Sequence, residues 1–161
     1  MPWATFTEEP QCPLVLFASA GELSEIRFGS GMSPASEQEP DHPVLRETAR
    51  QLRLYFAGSL RCFNLPLKPN GTEFQQRVWQ ALLQIPYSET RSYGEIAQQI
   101  GSIKAVRAVG AANGRNPIPI VIPCHRVIGA NGKLTGFGGG LPLKRYLLKL
   151  EQDQCLLTDT I

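Results

Sequence analysis

The sequence predicts a mixed α/β (α+β) fold: a small N-terminal α/β domain with a short antiparallel sheet, then a mainly helical, winged-helix-like C-terminal domain that carries a helix-turn-helix. Strand-like runs occur in the first third of the 161 residues, whereas helices with recognisable caps fill most of the remainder. Segment 65–71, which is rich in Pro and Gly, separates these two parts. We therefore predict two domains, 1–68 and 69–161.

The elements of the first domain follow from local patterns. Runs 14–19 and 22–28 flank an Ala-Gly pair, which predicts a hairpin. Segment 29–41 is rich in Ser, Pro and Glu and is predicted to be a loop. Apolar side chains then recur at helical spacing from Leu45, which predicts an amphipathic helix that Gly58 ends.

The first and last helices of the second domain have clear start signals. Thr72 and Gln75 have the spacing of a capping box, which predicts the start of a helix that Pro86 ends. Pro142 is predicted to open the last helix, with Glu151 near its end. The predicted core stripe of that helix is formed by four apolar residues, Leu143, Tyr146, Leu147 and Leu150.

Between these helices the pattern fits a helix-turn-helix. Ser92 and Glu95 predict a second capping box, which opens a short helix that Gly101 terminates. A further helix is predicted over 104–112, with 113–114 (Asn-Gly) as left-handed caps. Two short helices joined by a tight turn that contains Gly are typical of a helix-turn-helix, and an ordinary helical hairpin is the alternative.

Charge is distributed unevenly, although the net charge is only +2. Residues 1–68 contain 6 basic and 8 acidic side chains, a net charge of −2, whereas residues 69–161 contain 10 basic and 6 acidic, a net charge of +4. Such a basic region suits a polyanion such as nucleic acid, with a solvated basic face as the alternative. Between Arg91 and Arg145 there is one acid, Glu95, and the basic residues are Arg91, Lys104, Arg107, Arg115, Arg126, Lys133, Lys144 and Arg145.

The composition argues against several classes of protein. No apolar run approaches the ~20 residues of a membrane span, and the N-terminus lacks the basic and apolar regions of a signal peptide. Because these features are missing we expect a cytoplasmic protein, and because the cysteines are scattered with no C-x-x-C pair we expect free thiols. The two histidines, His42 and His125, are far apart in sequence, so we predict no metal. The scattered cysteines are Cys12, Cys62, Cys124 and Cys155.

One of these cysteines is a candidate nucleophile. Cys124 and His125 are adjacent inside the apolar run 118–128. Pro123 cannot donate to a sheet ladder, so a strand must break or lie at an edge there. A thiolate is a strong nucleophile and His125 can serve as its base or as a relay to one. The alternative is an inert core cysteine.

These residues stand within a larger set of motifs between about 72 and 151. The motifs are Phe74-Gln75, Val78-Trp79, Ser92-Tyr93, Arg107-Ala108-Val109-Gly110, Asn116-Pro117, Ile122-Pro123-Cys124-His125-Arg126-Val127-Ile128, Gly139-Gly140, Lys144, Leu147-Leu148 and Glu151. In this order and spacing the set resembles the O6-alkylguanine-DNA alkyltransferases, the methylated-DNA–protein-cysteine methyltransferases, whereas 1–68 match them weakly.

The resemblance implies a single-use DNA repair reaction. An alkyl group, such as methyl, is transferred from O6 of guanine to Cys124 without a cofactor, and O4 of thymine is a further candidate site. Catalysis is expected to use His125 as base through a bridging water, with Glu151 orienting it, because neighbouring residues of a strand point to opposite faces. The implied partner is double-stranded DNA containing O6-alkylguanine, with no membrane, and the protein is expected to be a monomer.

The resemblance also implies how the lesion is reached. A stacked base is inaccessible, so the nucleotide is flipped out. Arg107 is expected to fill the vacated stack, and Tyr93 to rotate the phosphate and hydrogen-bond the base as a catalytic group. Asn116, with Pro117, is expected to act as a hinge. The remaining implied residues are Lys104 and Arg115 for DNA, and Val127, Phe137, Gly138, Gly139 and Lys144 for the substrate pocket.

The sequence departs from the family at some points and leaves other hypotheses open. Phe137 stands where many relatives carry Tyr, and the N-terminal region lacks the Cys and His set that binds zinc in some of them. One alternative is a winged helix-turn-helix protein that only binds alkylated DNA and recruits repair partners. Another is an unrelated Cys–His hydrolase that acts through an acyl-enzyme.

Overall fold

The chain forms two compact units, Met1–Asn70 and Gly71–Ile161, in a computed structural model. The structure describes residues 1–9, 11–29 and 37–159, without the side chains of 157–159. An N-terminal antiparallel sheet and a helical C-terminal unit confirm the predicted mixed fold. Within the described ranges, no helix has both the length and the hydropathy that crossing a membrane requires.

In its described residues, the first unit consists of a three-stranded antiparallel sheet, in the order β1-β2-β3, and one helix. Its strands are β1 (Trp3–Phe6), β2 (Leu14–Ser19) and β3 (Glu22–Phe28), and its helix is α1 (Pro43–Phe56). The predicted hairpin and helix are confirmed, whereas β1 was not predicted. The central strand β2 is paired on both edges, and its residues 14–18 are buried. Most of the predicted loop 29–41 lies outside the described residues.

The second unit is built from helices around two very short strands. Strand β4 is parallel to β5, with Arg91 opposite Val127. Cys124–Arg126 form a single 3-10 turn rather than part of a strand. The elements are α2 (Glu73–Leu83), β4 (Arg91–Ser92), α3 (Tyr93–Gln99), α4 (Val106–Gly114), β5 (Val127–Ile128) and α5 (Leu141–Asp159).

The caps of α2 and α3 have local causes. Thr72 and Gln75 exchange both hydrogen bonds of the predicted capping box. Ser92 accepts from the backbone of Glu95, which caps the start of α3. Gly101, with φ of 75°, makes the turn between α3 and α4, a conformation that glycine adopts without strain.

The predicted boundaries of two helices are wrong. Helix α4 runs over 106–114 rather than 104–112, so Lys104 precedes it and 113–114 belong to it instead of capping it. Asn113 is helical and buried, and its side-chain amide donates to the backbone oxygen of Cys124 at 3.4 Å. Helix α5 continues to residue 159, which places Glu151 in its interior rather than near its end.

Trp79 joins α2 to the end of α4. Its indole N–H donates to the backbone oxygen of Ala112 at 2.9 Å, and its side chain is buried. Gly71 lies against this ring: a Cβ there would be 2.3 Å from Trp79 Cη2, far inside van der Waals contact. The close packing therefore requires glycine where the second unit begins.

We expect Gly71→Ala to lower the free energy of unfolding by about 1–3 kcal/mol, because the added methyl overpacks a buried indole. Urea unfolding followed by Trp fluorescence measures this. Gly94→Ala in α3 is the matched control, since its Cβ would come no closer than 3.8 Å to Ser92 Oγ. The control should be neutral or stabilising by up to about 1 kcal/mol, because alanine favours helix over glycine. Equal losses in both variants would contradict the packing argument.

Candidate active site

The segment that leads into Cys124 is shaped by one side chain. Asn116 Oδ1 accepts from the backbone N–H of Ile118 at 3.0 Å, and its Nδ2 donates to the backbone oxygen of Ile122 at 2.8 Å. Between these contacts Ile120 is buried with φ of 73°, a conformation that a β-branched residue rarely adopts. The Asn116 contacts hold the chain in this strained shape, as expected where a backbone is held for function.

Cys124 begins the 3-10 turn and its side chain is buried. Burial raises the pKa of the thiol to about 11, and a hydrogen bond from Asn116 together with the charge of Lys144 offsets only part of this effect. The thiol is therefore protonated at neutral pH. A reaction that uses its sulfur as nucleophile needs a nearby base.

The carboxylate of Glu151 gathers four donors from two segments of the chain. His125 Nε2 lies 2.6 Å from Oε2, and the guanidinium of Arg126 binds both oxygens, at 2.8 and 3.1 Å. The backbone N–H of Ser88 donates to Oε1 at 3.1 Å. We call Glu151, His125, Arg126 and the Ser88 N–H the carboxylate network. Its side chains are all buried.

The charges of this network decide which nitrogen of His125 is free. Burial alone would raise the pKa of Glu151, but hydrogen bonds and charge from His125 and Arg126 outweigh burial and hold that pKa below its usual range. Burial lowers the pKa of His125 despite the contact with Glu151, so the imidazole is neutral. A carboxylate only accepts, so Nε2 carries the proton. His125 Nδ1 is then an acceptor, and it has no hydrogen-bond partner among the described residues.

The loop between α2 and β4 holds the network from the other side. Arg126 Nη1 donates to the backbone oxygen of Ile85 at 2.8 Å, and its guanidinium lies 5.6 Å from the centre of the Tyr87 ring. Ser88 has φ of 69°, and its N–H points at Glu151. Sequence reasoning missed the roles of Arg126 and Ser88. For Arg126, a signal was available in the sequence, because it lies within the same motif as Cys124.

Lys144 is fully buried and does not line the cavity described below. Its ammonium donates to the backbone oxygens of Val127 at 2.6 Å and Thr135 at 3.0 Å. Burial lowers its pKa, and the neighbouring Cys124 sulfur partly offsets this. Two members of the predicted basic face, Arg126 and Lys144, are thus interior residues, because carboxylate and carbonyl oxygens satisfy them.

A cavity of about 570 Å³ opens beside α4. Four predicted site residues line it, namely Tyr93, Arg107, Phe137 and Gly138. Val127 and Gly139, predicted for the pocket like Lys144, are absent from its wall. The lining residues that sequence reasoning missed are Val106, Gly110, Gly114, Thr135 and Gly136. The helical spacing of Arg107, Gly110 and Gly114 was a signal for one face of α4.

The exposed side of α4 combines small and basic side chains. Arg107 lies on the helix, whereas Lys104 precedes it and Arg115 follows it, and all three are exposed. Ala108 and Ala111 are exposed beside them, so another surface can approach the helix closely. In the described ranges, no group of three or more His, Cys, Asp or Glu side chains is arranged to hold a metal ion.

Known proteins resemble both units. Residues 73–153 match the family described as "6-O-methylguanine DNA methyltransferase, DNA binding domain", and residues 5–69 match its "ribonuclease-like domain". Methylated-DNA–protein-cysteine methyltransferases of Methanosarcina acetivorans and Mycobacterium bovis are 54% and 52% identical. These alignments cover 89% and 91% of this chain and 94% and 90% of those proteins.

A solved structure shares the fold. The crystal structure of Mycobacterium tuberculosis OGT in complex with DNA superposes with a TM-score of 0.88 at 50% identity. The match covers 96% of this chain and 94% of that one. Sequence and fold therefore agree over nearly the whole length.

Proposed function

Because the chain belongs to the 6-O-methylguanine DNA methyltransferase family, we propose that it is a methylated-DNA–protein-cysteine methyltransferase, which repairs O6-alkylguanine in DNA by moving the alkyl group to Cys124. The observation that carries the proposal is the buried His125–Glu151 pair next to this cysteine. It leaves the imidazole Nδ1 available as a proton acceptor.

The proposed transfer needs no cofactor, because the protein and solvent can account for every bond and proton that changes. The thiol proton passes to His125 Nδ1, directly or through one water molecule, while Glu151 stabilises the imidazolium that forms. The sulfur attacks the methyl carbon, so an S–C bond forms as the C–O6 bond breaks. The electron pair of that bond stays with guanine, which takes a proton from solvent. The thioether product is stable, so each molecule reacts once.

The cavity and α4 support the proposed route to the lesion. A flipped nucleotide needs a pocket beside the DNA-binding surface, and the cavity lined by Tyr93 and Arg107 lies beside α4. Arg107 fills the vacated stack and Tyr93 contacts the flipped base. Exposed Lys104 and Arg115 contact phosphates. Asn116 holds the segment between α4 and Cys124, which suits a hinge that ties binding to transfer.

The intact mass of the protein tests the function directly. After incubation with duplex DNA containing O6-methylguanine, we expect a permanent gain of one methyl group, located on the Cys124 peptide. Unmodified protein that still binds the lesion would indicate a recognition protein that recruits repair partners. Turnover of an ester without a stable adduct would indicate a Cys–His hydrolase.

We expect Arg107→Ala to slow repair of duplex DNA by about tenfold or more. Flipping the nucleotide costs a few kcal/mol of stacking and pairing, which the proposed insertion of Arg107 helps to offset. Reaction with free O6-methylguanine base should change far less, since nothing has to be flipped. Methyl uptake from both substrates is measured by mass. Arg46→Ala, which removes an exposed arginine from α1, is the matched control. Equal losses on duplex and free base would contradict the role of Arg107.

The remaining assignments extend this proposal. Residues 1–68 form the N-terminal domain and 69–161 the domain that binds DNA and accepts the alkyl group. The protein acts as a cytoplasmic monomer. Cys12, Cys62 and Cys124 are not joined in disulfides, which is typical of a reducing compartment. Cell fractionation and the mass of the native protein in solution test these two assignments.

A further inference from the structure

Thr135 connects the cavity wall to the interior through two different groups. Its hydroxyl oxygen lies 2.6 Å from the hydroxyl oxygen of Tyr93, across 42 residues of sequence. Its backbone oxygen accepts from the ammonium of Lys144 at 3.0 Å. Both Tyr93 and Thr135 line the cavity. Thr135 therefore joins the start of α3 to the start of α5 at the edge of the site.

The hydrogen bond from Lys144 fixes the position of the Thr135 backbone, although Gly136, a residue with wide backbone freedom, follows directly. Lys144 is fully buried and also donates to the backbone oxygen of Val127, the first residue of β5. Val127 directly follows the turn that contains Cys124 and His125. The position of the Thr135 backbone is thus tied to the segment that carries the nucleophile.

The hydroxyl pair restricts what the Tyr93 proton can do. A phenol has one proton, so the pair can be joined with Tyr93 as donor or with Thr135 as donor. When Thr135 donates, the Tyr93 proton is left to point into the cavity. Hydrogen bonds in such a chain strengthen one another, so a donating Thr135 makes Tyr93 a better donor to a third group.

We propose that Thr135 is a positioning residue for alkyl transfer: it donates to Tyr93, so that the Tyr93 hydroxyl donates to a ring nitrogen of the guanine that leaves. This inference rests on the proposed function. The guanine gains negative charge as the C–O6 bond breaks, so a donor aimed at it stabilises the transition state more than the bound substrate. Thr135 itself does not touch the base, and no proton leaves Tyr93 permanently.

Thr135→Val tests the proposal, because valine keeps the shape of threonine and removes the hydroxyl. We expect the rate constant for methylation of Cys124 at saturating DNA to fall about three- to tenfold, the effect of one lost hydrogen bond. The dissociation constant of the DNA should change little. Thr135→Ser, which keeps the hydroxyl, should recover most of the rate. Thr90→Val, the same change at an exposed loop threonine, is the control for both rate and unfolding temperature.

The Tyr93→Phe background separates positioning from a structural role. If Thr135 acts through the Tyr93 hydroxyl, Thr135→Val should have no further effect once that hydroxyl is gone. An equal loss in both backgrounds, an unaltered rate in Thr135→Val, or a Thr135→Ser variant as slow as Thr135→Val each overturns the proposal. Methylation of wild-type Cys124 in the same assay distinguishes these outcomes from failure of the proposed function.

Discussion

Cys124→Ala should abolish alkyl transfer, with no methyl detectable on the protein after prolonged incubation with O6-methylguanine DNA. The sulfur at this position is the proposed acceptor, and the other three cysteines lack an adjacent histidine. Intact mass followed by peptide mapping measures the loss. Cys62→Ala, which removes an exposed thiol from the first unit, is the matched control and should react like the wild type.

DNA binding should survive the same substitution. The exposed residues proposed to bind DNA lie on α4 or next to it. Cys124 is buried, and its backbone oxygen accepts a hydrogen bond from the side chain of Asn113. Affinity for lesion-containing DNA, measured by fluorescence anisotropy, should therefore remain close to that of the wild type. Methyl uptake by the Cys124→Ala protein on another residue would show that the nucleophile is misassigned.

Glu151→Gln should cause the second large effect, a loss of about 3–5 kcal/mol in the free energy of unfolding. Glutamine offers one acceptor oxygen where His125 and Arg126 both donate, and it leaves a buried guanidinium without its counter-charge. Transfer should also slow, by about 10²-fold or more, because the imidazole loses the group that orients it. Urea unfolding and single-turnover methylation measure the two effects.

Two further variants distinguish the effect of losing the carboxylate network from a general effect of changing a residue on α5. Asp153→Asn on α5 breaks an exposed pair with Lys149 and should cost about 0.5 kcal/mol or less. The double variant Arg126→Met with Glu151→Leu removes both charges and should be more stable than Glu151→Gln, because it leaves no buried charge without a counter-charge. It should still transfer slowly. A Glu151→Gln protein no less stable than Asp153→Asn would contradict the importance of the network.

Glu151→Gln should also change how the free energy of unfolding depends on pH. The pKa of Glu151 is lower in the folded protein than in the unfolded chain, where it is about 4.3. The unfolded chain therefore takes up the proton first, so this contribution is complete above about pH 4.3 and is lost as the pH falls below that value. His125, whose folded pKa is also lowered, adds a loss that begins below about pH 6.5. In Glu151→Gln the part of this loss that comes from Glu151 should disappear, so the free energy of unfolding should fall less steeply below about pH 4.3 than in the wild type.

Features decided within a few residues could be predicted from the sequence. The capping box at Thr72, the hairpin after β2 and the glycine turn after α3 depend on side chains and backbone angles of adjacent positions. The thiol and imidazole of Cys124 and His125 were also identified, because they are neighbours in the chain.

Features that depend on distant partners could not be predicted. Arg126 and Lys144 look like surface cations in the sequence, because burial of either depends on oxygen atoms that the fold supplies. Asn113 looks like a helix cap, and its burial depends on the backbone of Cys124 eleven residues later. Thr135 has no motif of its own. Its contact with the Tyr93 hydroxyl, 42 residues away, is supplied by the fold.

The contact between Ser88 and Glu151 spans 63 residues. Closing a loop of that length costs chain entropy, so this contact needs the rest of the unit to compensate for the cost. In the proposed mechanism, Glu151 orients the base that activates Cys124. A nascent chain that has emerged only as far as Cys124 lacks this carboxylate, so the proposed activation of the thiol has to wait until α5 has been made.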